Sequence, residues 1–214
     1  AYELDLATGK LTLVAENPGN ITSWGADHQG RIRYAIATDG VNNTYLYRDG
    51  GSGAFKAVLM TTFRDQFAPQ FFTADNSKLY VGSNIGRDKV AIVLVDPATA
   101  KEETVVYQRD DVDLGGLAWS RSRKRAAYVS YQTWKNERHY LDPVFAELFG
   151  RLEKKLAGYE VTLQSLTDDE NRMIVAATSD RTQGTRYLYD RKADRLTKLG
   201  DVTPWLPAVQ MASV

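Results

Sequence analysis

A hydrophobic run ending in aspartate recurs as Tyr2-Glu3-Leu4-Asp5, Leu46-Tyr47-Arg48-Asp49, Val93-Leu94-Val95-Asp96, Tyr140-Leu141-Asp142 and Leu188-Tyr189-Asp190. The aspartates stand 44, 47, 46 and 48 residues apart. A second mark, Tyr34, Tyr80, Tyr128 and Ile174, keeps step at spacings of 46, 48 and 46. Between the marks, short β-branched or alternating runs are separated by Gly, Asn and Asp turns, four strands to a period. A repeat of about 40–50 residues built this way is the pattern of a β-propeller blade. Each blade buries its faces only against its neighbours, so an unbroken repeat predicts one array rather than several small domains.

The last unit shows the plan most plainly. Glu160–Leu166, Met173–Thr178, Thr185–Tyr189 and Arg195–Leu199 are predicted strands, with turns at Ser179–Gly184 and Asp190–Asp194. Upstream, Ile21–Ala26, Arg31–Thr38, Thr44–Arg48 and Phe55–Met60 form one predicted blade. Phe67–Thr73, Leu79–Ser83, Val90–Asp96 and Glu103–Tyr107 form the next. Before both, Ala1–Asp5 and Leu11–Ala15 read as the last two strands of a blade whose first two are missing. The turn Asp5-Leu6-Ala7-Thr8-Gly9-Lys10 echoes Asp96-Pro97-Ala98-Thr99-Ala100-Lys101.

The third unit departs from the plan. Leu114–Trp119, Arg125–Tyr131 and Arg138–Leu141 supply three strands, and then Asp142-Pro143 offers a helix cap and first turn. Phe145, Leu148, Phe149, Leu152 and Leu156 follow on one face of an amphipathic helix over Pro143–Ala157 that ends near Gly158. The fold class expected is therefore all-β: a propeller portion of about four four-stranded blades plus a hairpin, with one inserted helix. Residues 1–202 form the array. Residues 203–214, with Thr203-Pro204-Trp205-Leu206-Pro207-Ala208, form an exit linker, because two prolines in four residues cannot continue a central strand.

Little chemistry is written on this frame. The chain carries 27 basic and 27 acidic residues, so nothing points to capture of nucleic acid or of an anionic membrane. No run of about 18 apolar residues marks a membrane span. With no cysteine and only His28 and His139, no zinc spacing can be written and no cofactor is called for. The absence of cysteine does not assign a compartment. A hydrolase of the sheet-and-helix type would carry a Gly-x-Ser-x-Gly elbow, which this chain lacks. The turn Asp49-Gly50-Gly51-Ser52-Gly53 has no following helix or lysine and reads as a hairpin rather than a phosphate cradle. Asp110-Asp111-Val112-Asp113 lacks the ligand spacing of a calcium loop and reads as turn and strand-entry carboxylates. Glu102 and Glu103 adjoin on an edge strand, where neighbours face opposite ways, so they read as a solvated edge rather than an ammonium site. No catalytic, metal or cofactor residue is assigned on these grounds, and no substrate-binding residue is named.

Three marks carry a resemblance. They are Arg138-His139-Tyr140-Leu141-Asp142-Pro143 before the helix, Ser179-Asp180-Arg181 with Gly184 before Tyr187-Leu188-Tyr189-Asp190, and Pro204-Trp205-Leu206 in the linker. In order and spacing the chain resembles the propeller of the prolyl oligopeptidase family of serine peptidases, in its acylaminoacyl-peptidase and dipeptidyl-peptidase-like branch. The first two blades match only as generic propeller. That resemblance implies a following α/β-hydrolase domain that bears a Ser-Asp-His triad, none of which matches a position here. It also implies that the propeller gates the entry of short peptides. The paired glutamates that bind a substrate's amino terminus in one branch sit on a helix, so that role is not carried over to Glu102 and Glu103. The expected function is thus the non-catalytic propeller part of a peptidase, with the hydrolase domain and peptides as partners. The alternative is a stand-alone propeller that scaffolds protein–protein contacts. Counted this way, the array cannot close a ring with its own residues. Its open edges are expected to be covered by further blades of the parent, a second fragment or another copy.

Overall fold

The computed structural model describes residues 1–50, 52–206 and 208–212. Gly51 of the glycine-rich turn, together with Pro207, Ser213 and Val214 of the predicted linker, lies outside the described residues. All the sheets are antiparallel, and in each the strands pair in sequence order. Strands β1 (Tyr2–Leu4) and β2 (Leu11–Leu13) form a two-stranded sheet of their own. Strands β3 (Ile21–Ala26), β4 (Ile32–Thr38), β5 (Asn43–Tyr47) and β6 (Lys56–Thr61) form the first four-stranded sheet. The second comprises β7 (Phe67–Phe72), β8 (Leu79–Ser83), β9 (Ala91–Val95) and β10 (Glu102–Tyr107). Strands β11 (Leu114–Ser120), β12 (Arg125–Gln132) and β13 (Asn136–Tyr140) make a three-stranded sheet, followed by helix α1 (Pro143–Lys155). Strands β14 (Glu160–Leu166), β15 (Arg172–Ser179), β16 (Thr182–Asp190) and β17 (Arg195–Asp201) complete the set.

The chain divides into two compact units: residues 1–117 with 129–137, and residues 118–128 with 138–214. The core of the first unit is rich in aromatic side chains. Tyr34, Tyr45, Tyr47 and Phe72 pack with Leu79, Val81, Val93 and Val95. Tyr45 satisfies its buried hydroxyl by donating to the Pro97 carbonyl at 3.0 Å, and burial pushes its pKa up. Gly25 is required on β3: a Cβ there would lie 1.9 Å from the Tyr34 ring, which covers the strand at that point.

The second unit is built around the helix. Phe145, Leu148, Phe149, Leu152 and Leu156 are all buried, as their spacing predicts, and pack with Val161, Met173, Val175 and Tyr189. Phe149 meets Tyr128 edge-on at a ring distance of 5.3 Å. Tyr189 is buried at the heart of this cluster and donates its hydroxyl to Asp194. The helix starts where Asp142 accepts the Val144 N–H at 3.0 Å, with Pro143 in the first turn.

Two expectations need correction. The helix stops at Lys155, capped by Leu156, two residues short of the predicted Ala157. Gly158 follows with a φ of 86°, as a turn residue rather than the helix end. The predicted six-residue turn Ser179–Gly184 is in fact the two residues Asp180 and Arg181. Ser179 pairs with Thr182, and β16 runs back through Gln183 and Gly184. A register shift absorbs the extra residue, and Gly184, at φ 116°, makes the shift possible where Thr178 and the Ala177 carbonyl crowd it.

Candidate functional site

The residues weighed from the sequence are engaged one by one. His28, in the β3–β4 turn, places Nε2 2.9 Å from the Phe72 carbonyl oxygen, so that nitrogen carries the proton and donates. His139 lies half-buried on β13. Glu102 pairs with Arg87 and Glu103 with Lys78, so the two carboxylates serve different cations and do not converge. Arg109 holds Asp111, while Asp113 accepts the Val90 N–H at 2.7 Å at the entry to β9. Asp49, at the start of the glycine-rich turn, pairs with Arg33, and the turn leads into strand β6 rather than a helix. Among the described residues, no three His, Cys, Asp or Glu side chains gather as a metal would need. Among the described residues, no helix is long and apolar enough to cross a membrane.

Sequence reasoning missed two polar clusters. Asp27 is buried in the β3–β4 turn, where it accepts the Gln29 and Arg31 N–H groups and pairs with Arg31 and Arg33. The Arg33 guanidinium lies over the rings of Tyr47 and Phe72 and also donates to the Tyr47 hydroxyl and Asp49. Burial disfavours both charges, but the hydrogen bonds outweigh it: Asp27 is held below the usual carboxylate range and Arg33 above the usual guanidinium range. Both groups stay ionised at neutral pH, so the cluster is a strut and not a proton donor or acceptor. In the second unit, buried Glu170 accepts from the Ser120 hydroxyl at 2.9 Å, the Ser122 hydroxyl at 2.7 Å and the Arg121 N–H at 2.8 Å. Those two serines are committed to a carboxylate rather than to an imidazole, which is the wrong partner for a nucleophile.

What distinguishes one region is the chemistry of its loops. Antiparallel order puts the connections between sheets, and those from second to third strands, at the end where each sheet's first strand begins. In the first unit these connections expose Val41, Phe63, Ile85 and Trp134. The connections at the opposite end are Asp27–Gly30, Asp49–Gly53, Ala74–Lys78 and Asp96–Lys101, all polar or small turns. Leu6 in the β1–β2 turn is the exception. A groove of about 440 Å³ opens among residues at the apolar end, including Thr22, Asn43, Thr62, Phe63, Gln66 and Phe67. In the second unit the corresponding end of its sheet carries the Asp180–Arg181 turn and the departing segment with exposed Trp205 and Leu206. A groove of about 240 Å³ lies there, between Asp180, Arg181, Gln183, Thr203, Leu206 and Met211. Both grooves mix apolar, polar and charged lining, with Asp65 in the first and Asp180 and Arg181 in the second.

No protein-family model matches the chain. It is 29% identical over 207 residues to dipeptidyl aminopeptidase BIII of Pseudoxanthomonas mexicana, a match that covers 96% of this chain. The chain spans only 30% of the length of that relative. Among solved structures, a puromycin-hydrolysing peptidase of Mycobacterium tuberculosis superposes with a TM-score of 0.59 at 15% identity, covering 94% of this chain and 31% of that one. A prolyl endopeptidase gives 0.58 at 14% identity, covering 91% and 28%. These similar proteins are peptidases by name, which matches the resemblance to the propeller of the prolyl oligopeptidase family. The structure is the all-β propeller portion that the repeat predicts.

Proposed function

We propose that this propeller portion is the non-catalytic part of a serine peptidase that hydrolyses short peptides. In this reading it gates substrate access to a separate α/β-hydrolase domain. The match to a dipeptidyl aminopeptidase along 96% of the chain carries the proposal. The exposed Val41, Phe63 and Trp134 support it, since apolar loop tips at one end are what a docked domain would cover. A gate acts on length: a short peptide or a small ester passes, and a folded or long chain is excluded.

The test is the specificity constant of the parent enzyme over peptides of increasing length, beside a small ester. Gating predicts a steep fall in kcat/KM with length. It also predicts that Phe63→Asp, at a tip that the docked domain would cover, loosens the gate and flattens that fall. A length profile that is flat in the unaltered parent would refute the gate.

A further inference from the structure

The repeat aspartate does one job in most of its turns. Asp5 Oδ1 accepts the Ala7 N–H at 2.9 Å and the Thr8 N–H at 3.0 Å. Asp96 accepts from Ala98 and Thr99, Asp142 from Val144, and Asp190 from Ala193. Each of these carboxylates reaches forward two or three residues, past the peptide nitrogen next to it. At Asp49 the reach is one residue: Oδ1 accepts the N–H of Gly50 itself, at 2.9 Å. Gly50 has no side chain to shield that nitrogen, and its φ of 66° is one that glycine adopts freely. The other four aspartates are followed by Leu6, Pro97, Pro143 and Arg191. The Asp49 side chain is 91% exposed, and Arg33 Nη2, 2.9 Å from the same Oδ1, fixes the carboxyl in place beside the nitrogen.

We propose that Asp49–Gly50 is a site of spontaneous covalent modification, the isomerisation of aspartate to isoaspartate through a cyclic imide. The Gly50 nitrogen bonds to Asp49 Cγ, and its proton leaves with the hydroxyl of the carboxyl group as water. Water then adds back at one of the two imide carbonyls. Addition at Cγ restores aspartate. Addition at the main-chain carbonyl breaks its bond to the Gly50 nitrogen, so the chain now runs through Cβ and Cγ and the α-carboxylate is free. Composition is unchanged and no oxidant or reductant takes part. Arg33, only 6% exposed, then meets an anion on a lengthened main chain rather than on a side chain, and keeps Asp27 and Tyr47. The other Asp–Gly pair of the sequence, Asp39–Gly40, is built the opposite way. Asp39 Oδ1 accepts from Val41 at 2.9 Å and Asn42 at 2.7 Å, and Oδ2 from the Asn42 amide at 3.0 Å. The Gly40 N–H donates to the Thr38 hydroxyl at 3.1 Å, so nitrogen and carboxyl are each held by other partners. The carboxyl must carry a proton for water to leave, and the bonds from Asn42 and Val41 hold the Asp39 pKa down to about 2.

The experiment keeps the parent folded at neutral pH and, in parallel, unfolded in guanidinium, and follows isoaspartate at residues 39 and 49 by peptide mapping with isoaspartyl methyltransferase labelling. In the unfolded chain the two sites are expected to convert at like rates, since both are Asp–Gly. In the folded protein residue 49 is expected to stay within a few-fold of its unfolded rate. Residue 39 should slow by at least about tenfold, the factor that about 1.4 kcal/mol on a barrier gives and less than the hydrogen bonds to be broken there supply. Folded-state conversion at residue 39 as fast as at residue 49, or protection of both sites, would overturn the proposal. A second measurement uses Asp49→Asn, which closes the same ring with loss of ammonia instead of water. It is expected to convert faster than the unaltered protein while folded, and a variant that stays intact would also overturn the assignment.

Discussion

Asp96 and Asp142 hold the same place in successive repeats, and each is followed by proline. Each carboxylate accepts the N–H two residues on, from Ala98 at 2.7 Å and from Val144 at 3.0 Å. Beyond that shared start the two regions part. After Asp96, Ala100 takes a left-handed conformation, the chain reverses, and an exposed fourth strand follows. After Asp142, the chain continues as α1 and buries five apolar side chains in the core of the second unit. The cap is common to both, so it does not choose between strand and helix. The choice is made by what comes next: apolar residues at helical spacing in one case, and a short Thr-Ala-Lys reversal in the other.

The comparison can be broken most severely at Phe149. It is fully buried, meets Tyr128 and Tyr140, and has the Arg138 guanidinium 4.0 Å from its ring centre. Phe149→Ala is expected to cost about 4 kcal/mol in urea unfolding. Because these partners belong to the propeller portion itself, the loss should appear in the chain of residues 1–214 as fully as in a parent. A loss below about 1 kcal/mol would mean that the helix is not the centre of this core.

The next effect sharpens the contrast between the caps. Asp142 is buried and also pairs with Arg123 and Arg125, whereas the Asp96 turn lies at the surface. Asp142→Ala should cost about 2 kcal/mol and Asp96→Ala about 0.5 kcal/mol. Burial alone would raise the Asp142 pKa, but the hydrogen bond from Arg123, the Val144 N–H and the neighbouring positive charges hold it below the usual carboxylate range. A depressed folded-state pKa gives stability that is present above the unfolded value of about 4 and is lost as pH falls through the lower folded value. Asp142→Asn should therefore flatten part of the loss of stability below about pH 4. An unchanged acid limb would show that the carboxylate is not held this way.

How much of this was legible in the sequence follows from the range of the interactions. The repeat gave the strands because alternation and turn residues are local, and the spacing from Phe145 to Leu156 gave the helix for the same reason. The two-residue turn at Asp180 was missed because Thr182, Gln183 and Gly184 are turn-type residues that pairing with β15 draws into a strand. Arg33 and Glu170 were missed for a different cause. Their partners lie elsewhere in the chain, at Asp49 and at Ser120, and no local pattern records a side chain that must be buried with its charge. One signal was available for Glu170: its place in the first-to-second turn, where it is left-handed at φ 55°, matches that of Gly30 and Asn76. The loop asymmetry that marks the candidate surface was legible only after the strands were given a direction.

An effect of opposite sign is expected at the reversal after Asp96. Ala100 holds φ 55°, where its counterpart in the first hairpin is glycine. Ala100→Gly is expected to stabilise the protein by about 0.5–1 kcal/mol in urea melts, through relief of the left-handed strain. A destabilisation would show that the reversal is held by its neighbours rather than strained by its own Cβ.

Under the proposed function, the chemistry belongs to a part of the parent outside these residues. The most direct measurement treats the parent, and separately the chain of residues 1–214, with a serine-directed fluorophosphonate, and maps the modified residue. One modified serine outside residues 1–214 is expected, with loss of peptide hydrolysis on its modification and no labelling of the shorter chain. Stoichiometric labelling of a serine within residues 1–214, with loss of activity, would contradict it.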